Sequence, residues 1–190
     1  MGLSVIGLSG KMGSGKDEVY RICTELLRGD RIKRFAFGDE VKAEVASVLN
    51  LSVKYVDQRK QLFRPILQWW GTEYRRQLFG QTYWIDKMRD QLTDPSKSGW
   101  AIVTDVRFEN EAELIQDIGG YMVRVDRPGF CMCQKTADHP SETDLDFYDF
   151  DYVIRNNGEL DDLKPAVGEM IDAYRRARTF SQPGVGSTYG

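Results

Sequence analysis

The run Gly10-Lys11-Met12-Gly13-Ser14-Gly15-Lys16-Asp17 constrains the fold more than any other stretch of this chain. Before it, Leu3 to Leu8 is short and apolar enough for a buried strand. After it, Val19, Ile22, Cys23, Leu26 and Leu27 recur at helical spacing. The glycines therefore turn a strand into a helix, which is the context in which such a run binds phosphate. Lacking Cβ atoms, they let the backbone wrap closely and turn successive N–H groups inward around phosphate oxygens. The new helix adds its unpaired N–H groups and its dipole, and Lys16 brings a mobile positive charge to the outer phosphates. Asp17 stands where the pattern has Ser or Thr, whose hydroxyl ligates magnesium. A carboxylate can serve directly or through a bound water, because Mg²⁺ prefers oxygen ligands and keeps waters. The competing reading is an ordinary glycine-rich turn, and strand, loop, lysine and helix in this order argue against it.

Further along, strands and helices alternate. Residues 31–37 read as a second strand, and a helix follows with Val41, Val45, Val48 and Leu49 on one face and Asp39 as its N-cap. Residues 51–63 are polar and read as a short helix or a loop. From Arg64 a helix is expected, with Pro65 in its first turn. Its residues Ile66, Trp70, Tyr74 and Leu78 point inward, and Arg64, Gln68, Thr72 and Arg75 form a polar stripe on another face. A helix over 82–93, a strand from Trp100 to Thr104, a helix over 109–118, a strand from Tyr121 to Val125, a short strand at 152–154 and a final helix complete the order. The pattern predicts a five-stranded parallel sheet with helices on both faces. Ligands of such sheets sit beyond the carboxyl ends of the strands, and Asp39, Lys42, Asp105, Arg107, Arg127 and Asn156 to Gly158 gather there.

Composition excludes several classes. Lys plus Arg number 26 against 29 for Asp plus Glu, a net charge of −3 that argues against nucleic-acid binding as the main task. No apolar run approaches the roughly 18 residues of a membrane span. The N-terminus enters its first strand at once, leaving no room for a signal peptide. Cys23, Cys131 and Cys133 cannot all pair within one chain and read as reduced thiols in a cytoplasmic protein. Cys131 and Cys133 with His139 offer three ligands where structural zinc wants four, so zinc is not expected. Residues 127–149 lack periodicity and read as a lid that shuts out water, with His139 as one of its polar residues. The stretch from residue 179 reads as a mobile tail.

Asp105 ends an apolar strand, as a magnesium-organising carboxylate does in many phosphoryl-transfer enzymes; its alternative is a cap for the helix beginning near Phe108. Arg64, Arg75 and Arg107 suit a phosphate clamp, since guanidinium is planar and bidentate. Each alone could equally be a surface ion-pair partner, but beside a phosphate loop they favour a second, phosphorylated substrate. Arg64 and Arg75 are eleven positions apart, about 16 Å along an α-helix, so one phosphate cannot be gripped by both. Arg64, at the expected helix start, is the better acceptor ligand.

These residues together resemble bacteriophage deoxynucleoside monophosphate kinases, from residue 3 to about 175. The landmarks are Ser9-Gly10-Lys11 leading to Ser14-Gly15-Lys16-Asp17, Phe37-Gly38-Asp39 with Lys42, Arg64 and Gln68, and Gly71-Thr72-Glu73 with Tyr83-Trp84. Asp105-x-Arg107, Arg127-Pro128-Gly129, His139-Pro140-Ser141-Glu142 and Asp151-Tyr152-Val153-Ile154 with Asn156 and Gly158 complete them. The resemblance implies one P-loop kinase domain over residues 1–178, with an acceptor-binding helical region near 50–95. It implies transfer of the ATP γ-phosphate to a deoxynucleoside 5′-monophosphate, with Mg²⁺. Gly10, Lys11, Gly13, Ser14, Gly15 and Lys16 would hold ATP phosphates, Asp17 and Asp105 the metal, and Asn156, Asn157 and Gly158 the ATP base. Asp39, Lys42, Arg64, Gln68, Trp70, Thr72, Arg75 and Arg107 would serve the acceptor, and Arg127 would reach over the transferring group. Trp70, Tyr74 and Tyr83 are candidates to stack on the acceptor base or to pack in the core. More distantly the chain is similar to animal-type phosphomevalonate kinases, which leaves that acceptor open. A nucleotide-binding switch without a small acceptor also stays open. The base accepted and the oligomeric state, a homodimer included, are not fixed by the sequence.

Overall fold

The computed structural model describes residues 3–129, 140–158 and 160–181. The expected strands are all present: Leu3–Ser9 (β1), Ile32–Phe35 (β2), Gly99–Val103 (β3), Tyr121–Asp126 (β4) and Tyr152–Arg155 (β5). They pair in parallel in the order β2-β3-β1-β4-β5. Successive side chains of a strand point to opposite faces, so a strand apolar at every position needs two covering layers. In β1, Val5 packs with Phe35, Val103 and Met122 on one face, under helices Phe37–Val48 (α2), Tyr83–Leu92 (α6) and Glu109–Asp117 (α7). Ile6 and Leu8 pack with Ile102, Val123 and Ile154 on the other, under Lys16–Leu26 (α1) and Leu160–Ser181 (α9). No helix among the described residues is long and apolar enough to cross a membrane.

Several local expectations are corrected. α2 begins at Phe37, two residues before Asp39, and its N-cap is Ala36, which gives no side-chain cap. Asp39 instead pairs with Arg34 at 2.6 Å and Lys42 at 2.9 Å. The ambiguous stretch forms Val53–Gln58 (α3), capped by Ser52. The next helix, Lys60–Gln68 (α4), starts before Arg64 and carries Pro65 in its interior. It runs into a π-helical segment, Trp69–Tyr74, and then Arg75–Phe79 (α5). Bonding from i to i+5 takes an extra residue into each turn, so side chains four apart stop lining up. Trp70 is buried as expected, but Leu78 is 70% exposed and Arg76 takes the inward place at 5%. α9 continues to Ser181, into the stretch read as a tail. Residues 130–139 and 182–190 lie outside the described residues, and with them Cys131, Cys133 and His139. Within the expected lid, Pro140–Thr143 is a short helix (α8).

Candidate active site

The phosphate loop leaves β1 at the carboxyl edge of the sheet. Gly10 (φ 145°) and Gly15 (φ 105°) hold left-handed backbone that side chains rarely adopt. Neither has room for a Cβ, which would lie 2.3 Å from the Val125 carbonyl at Gly10 and 2.5 Å from Asn156 Nδ2 at Gly15. Gly15 precedes α1 with no side-chain cap, so the first N–H groups of that helix are left for a ligand. Lys16 Nζ donates to the carbonyls of Gly10 (2.5 Å) and Lys11 (2.9 Å) and to Ser14 Oγ (3.4 Å). Burial, and then the nearby Arg107, lower its ammonium to about 8. Asp17 is exposed beside it.

Met12, Gly13, Lys16 and Asp17 line a cavity of about 290 Å³, and Asp105, Arg107, Thr104, Phe37, Lys42, Arg64, Gln68 and Thr72 share it. Asp105 does not cap α7. Its two carboxylate oxygens accept the N–H groups of Phe37 and Gly38, both at 2.8 Å, and so cap α2 across the strand ends. The loop after Asp105 is held from below by Glu111, whose Oε2 accepts the Arg107 N–H at 2.8 Å and that of Phe108 at 3.3 Å. Its Oε1 takes the Arg76 guanidinium, which also donates to Asn110 at 3.2 Å. Burial raises the Glu111 carboxyl to about 7, with Arg76 and the two N–H donors opposing.

The acceptor-side assignments divide. Asp39, Lys42, Arg64, Gln68 and Thr72 line the cavity. Lys42 is held by Asp39 and, at 2.7 Å, by Asp57. Arg64 has a buried Nε with no hydrogen-bond partner among the described residues. It lies in the interior of α4, so the helix-start argument for it falls, and its place in the cavity carries the assignment instead. Arg75 and Trp70 are not among the cavity-lining residues. Arg75 Nε pairs with Glu44 at 2.7 Å, and the Trp70 indole donates to the same carboxylate at 2.9 Å. Tyr83 and Lys87 also donate to Glu44, and Tyr74 packs on Trp69 and Trp70. Of the two readings open for Trp70, Tyr74 and Tyr83, these contacts favour packing, and Phe37, Phe108 and Trp84 are the aromatics that line the cavity.

On the far side of β1, Asn156 is buried and donates to the Ser14 carbonyl at 2.9 Å, so it braces the phosphate loop. Asn157 and Gly158 are exposed. Arg127 approaches the Gly13 carbonyl at 3.4 Å, and Lys11 pairs with Asp146 at 2.9 Å. Among the described residues no group of three or more His, Cys, Asp or Glu is placed to hold a metal ion.

A family model described as deoxynucleotide monophosphate kinase matches residues 50–167, more than half of the chain. The chain belongs to that family. A mimivirus protein provisionally named a deoxynucleotide monophosphate kinase (Acanthamoeba polyphaga mimivirus) is 28% identical, covering 88% of this chain and 96% of its own length. The deoxynucleotide monophosphate kinase of Enterobacteria phage T4 is 31% identical, covering 68% of this chain and 54% of its own length. The chain thus spans nearly all of one viral relative and about half of the other. Shikimate kinase from Aquifex aeolicus superposes with a TM-score of 0.51 at 17% identity, covering 94% of this chain and 99% of that one, which shows a shared P-loop kinase fold.

For a member of the deoxynucleotide monophosphate kinase family, sequence reasoning found the loop and missed its supports. Arg76, Glu111 and Glu142 went unassigned. The bonds that join Arg76 to Glu111 and Glu142 to Arg107 and Met12 span 35 to 130 positions, so local spacing does not mark them. Glu111 also accepts from Arg107 and Phe108, a near-neighbour cap that the third position of α7 could have signalled.

Proposed function

We propose that this chain transfers the γ-phosphate of ATP to a deoxynucleoside 5′-monophosphate. The observation that carries the reading is Arg64, a guanidinium that lines the same cavity as Lys16 and whose buried Nε has no partner among the described residues. A buried N–H without an acceptor is costly, and the planar fork of arginine suits a phosphate. The cavity is at the small end of small-molecule sites, which suits a small phosphorylated acceptor.

Lys16 and the loop N–H groups hold the β- and γ-phosphates, while Arg64, Lys42 and Arg107 hold the acceptor phosphate. An acceptor oxygen attacks the γ-phosphorus in line. The new O–P bond forms as the bond to the β,γ-bridging oxygen breaks, and ADP leaves. The acceptor phosphate is already ionised at neutral pH, so no general base is required, and catalysis is positioning plus charge neutralisation. Arg127 stands beside the loop, and Asn157 and Gly158 serve the ATP base. The donor set suits magnesium: Asp17 presents an exposed carboxylate with no hydrogen bond or ion pair among the described residues, and Asp105 keeps free lone pairs. One or two carboxylates plus substrate phosphates is how Mg²⁺ is usually held; when bound it neutralises charge on the β- and γ-phosphates.

The test is ADP release measured with ATP, Mg²⁺ and a panel of acceptors: dTMP, dGMP, dCMP, dAMP and phosphomevalonate. Turnover with one or more of the deoxynucleotides is expected. Turnover confined to phosphomevalonate, or slow ATP loss indifferent to acceptor, overturns the reading.

A further inference from the structure

One buried carboxylate near the cavity has no part in the function as proposed. Glu142, in α8, has a side chain only 5% exposed. One oxygen takes the Arg107 guanidinium. The other accepts the N–H of Met12, within the phosphate loop, at 3.0 Å. Arg107 Nη1 also donates to the Ser141 carbonyl at 3.1 Å, so the arginine is gripped by two consecutive residues. The short segment that carries Glu142 is itself fixed on its C-terminal side. Asp144 accepts the Glu109 N–H at 2.8 Å at the start of α7. Asp146 takes Lys11 at 2.9 Å and Arg124 of β4 at 3.2 Å.

We propose that Glu142 is a positioning residue for phosphoryl transfer: its carboxylate fixes Arg107 and the phosphate-loop peptide at Met12 to one rigid point. The inference rests on the kinase reading above and adds a residue to it. A guanidinium on a long side chain has many rotamers, and holding it in one before substrate arrives removes that loss from the reaction. Arg107 and Lys16 are both cations in one small site, and a carboxylate paired with Arg107 offsets their mutual repulsion. Because the same carboxylate also bonds the loop backbone, donor-side and acceptor-side charges keep a set separation. A buried carboxylate is tolerated only when paired, and each oxygen of Glu142 has a donor.

The decisive variant is Glu142→Gln, whose amide oxygen still accepts from Met12 but no longer offers charge to Arg107. Wild type, E142Q, R107K and the double variant are compared by ADP release, with rates normalised to ADP-binding sites titrated calorimetrically so that any unfolded fraction drops out. E142Q is expected to lose about tenfold to a hundredfold in kcat, the scale of one hydrogen bond to a charged group, with the KM for ATP within about twofold. In the R107K background the same change should cost far less, because the two residues act as one unit. Unchanged kcat in E142Q overturns the proposal, as does an equal loss with and without R107K. Should E142Q yield no folded protein, Glu142→Asp, which keeps the charge and shortens the reach, is put through the same cycle with the same two outcomes. An inactive wild type overturns both this inference and the kinase reading; an active wild type with an indifferent Glu142 overturns this one alone.

Discussion

Lys16 and Arg64 both line the cavity, but their surroundings differ, and so do the tests they invite. Lys16 is spent on loop carbonyls, which on the proposed function it exchanges for phosphate oxygens. On the proposed function, Lys16→Ala removes the closest protein cation from the transferring phosphate. Its kcat should fall by about a hundredfold to a thousandfold, the loss seen when one preorganised donor goes. Its melting temperature should stay near the wild-type value, which differential scanning calorimetry checks. Retained activity would mean that this loop does not carry the chemistry. For Arg64, replacement by Lys keeps the charge and loses the fork. The KM for the acceptor should rise about tenfold or more, as expected when a bidentate charged contact is lost, while the KM for ATP holds. A rise in the ATP constant instead would place Arg64 on the donor side.

Among the elements, the π-helical turn Trp69–Tyr74 has the largest consequence, since it redirects everything after it. It turns Arg75 toward Glu44 and Arg76 toward Glu111, and so gives the cavity to Arg76. Burial works against the Glu44 charge, but bonds from Tyr83, Trp70, Lys87 and Arg75 outweigh it and hold the carboxyl at about 2. A carboxyl depressed on folding adds stability that is fully present above its unfolded value near 4.5 and is lost as pH falls toward 2. The contribution at neutral pH is roughly 3 kcal/mol. Urea unfolding should therefore show Glu44→Gln weaker than wild type by about that amount at pH 7, with the gap closing by pH 2–3; a gap constant with pH would contradict this account. The strands, the loop and the helices over 82–93 and 109–118 were legible because each rests on a run of neighbouring residues. The π turn was not, because a period of four in Ile66, Trp70, Tyr74 and Leu78 looks the same whether or not the chain keeps to α geometry. The capping of α2 by Asp105 was hidden for another reason: its bonds join residues 67 and 68 positions apart.

At the scale of the whole molecule, two apolar layers share one sheet, so damage to either should be felt by both. Leu8→Ala opens a hole on the α1 and α9 side, and Leu114→Ala one on the α7 side. Each should cost about 2–5 kcal/mol. In each variant, far-UV circular dichroism and tryptophan fluorescence should report one coincident urea transition; separate transitions would mean that the layers unfold independently. The same sheet sets the direction of the reaction. β1 is the middle strand, with β3 and β2 to one side and β4 and β5 to the other. The segments leaving β2 and β3 bring Lys42, Asp105 and Arg107, while those leaving β4 and β5 bring Arg127 and Asn156. On the proposed function, the phosphoryl group therefore travels sideways along the sheet's edge, over the end of β1 and across the run of the strands. Its path runs along the direction of the inter-strand hydrogen bonds, so the spacing between paired strands sets how far apart the loops at its two ends are held.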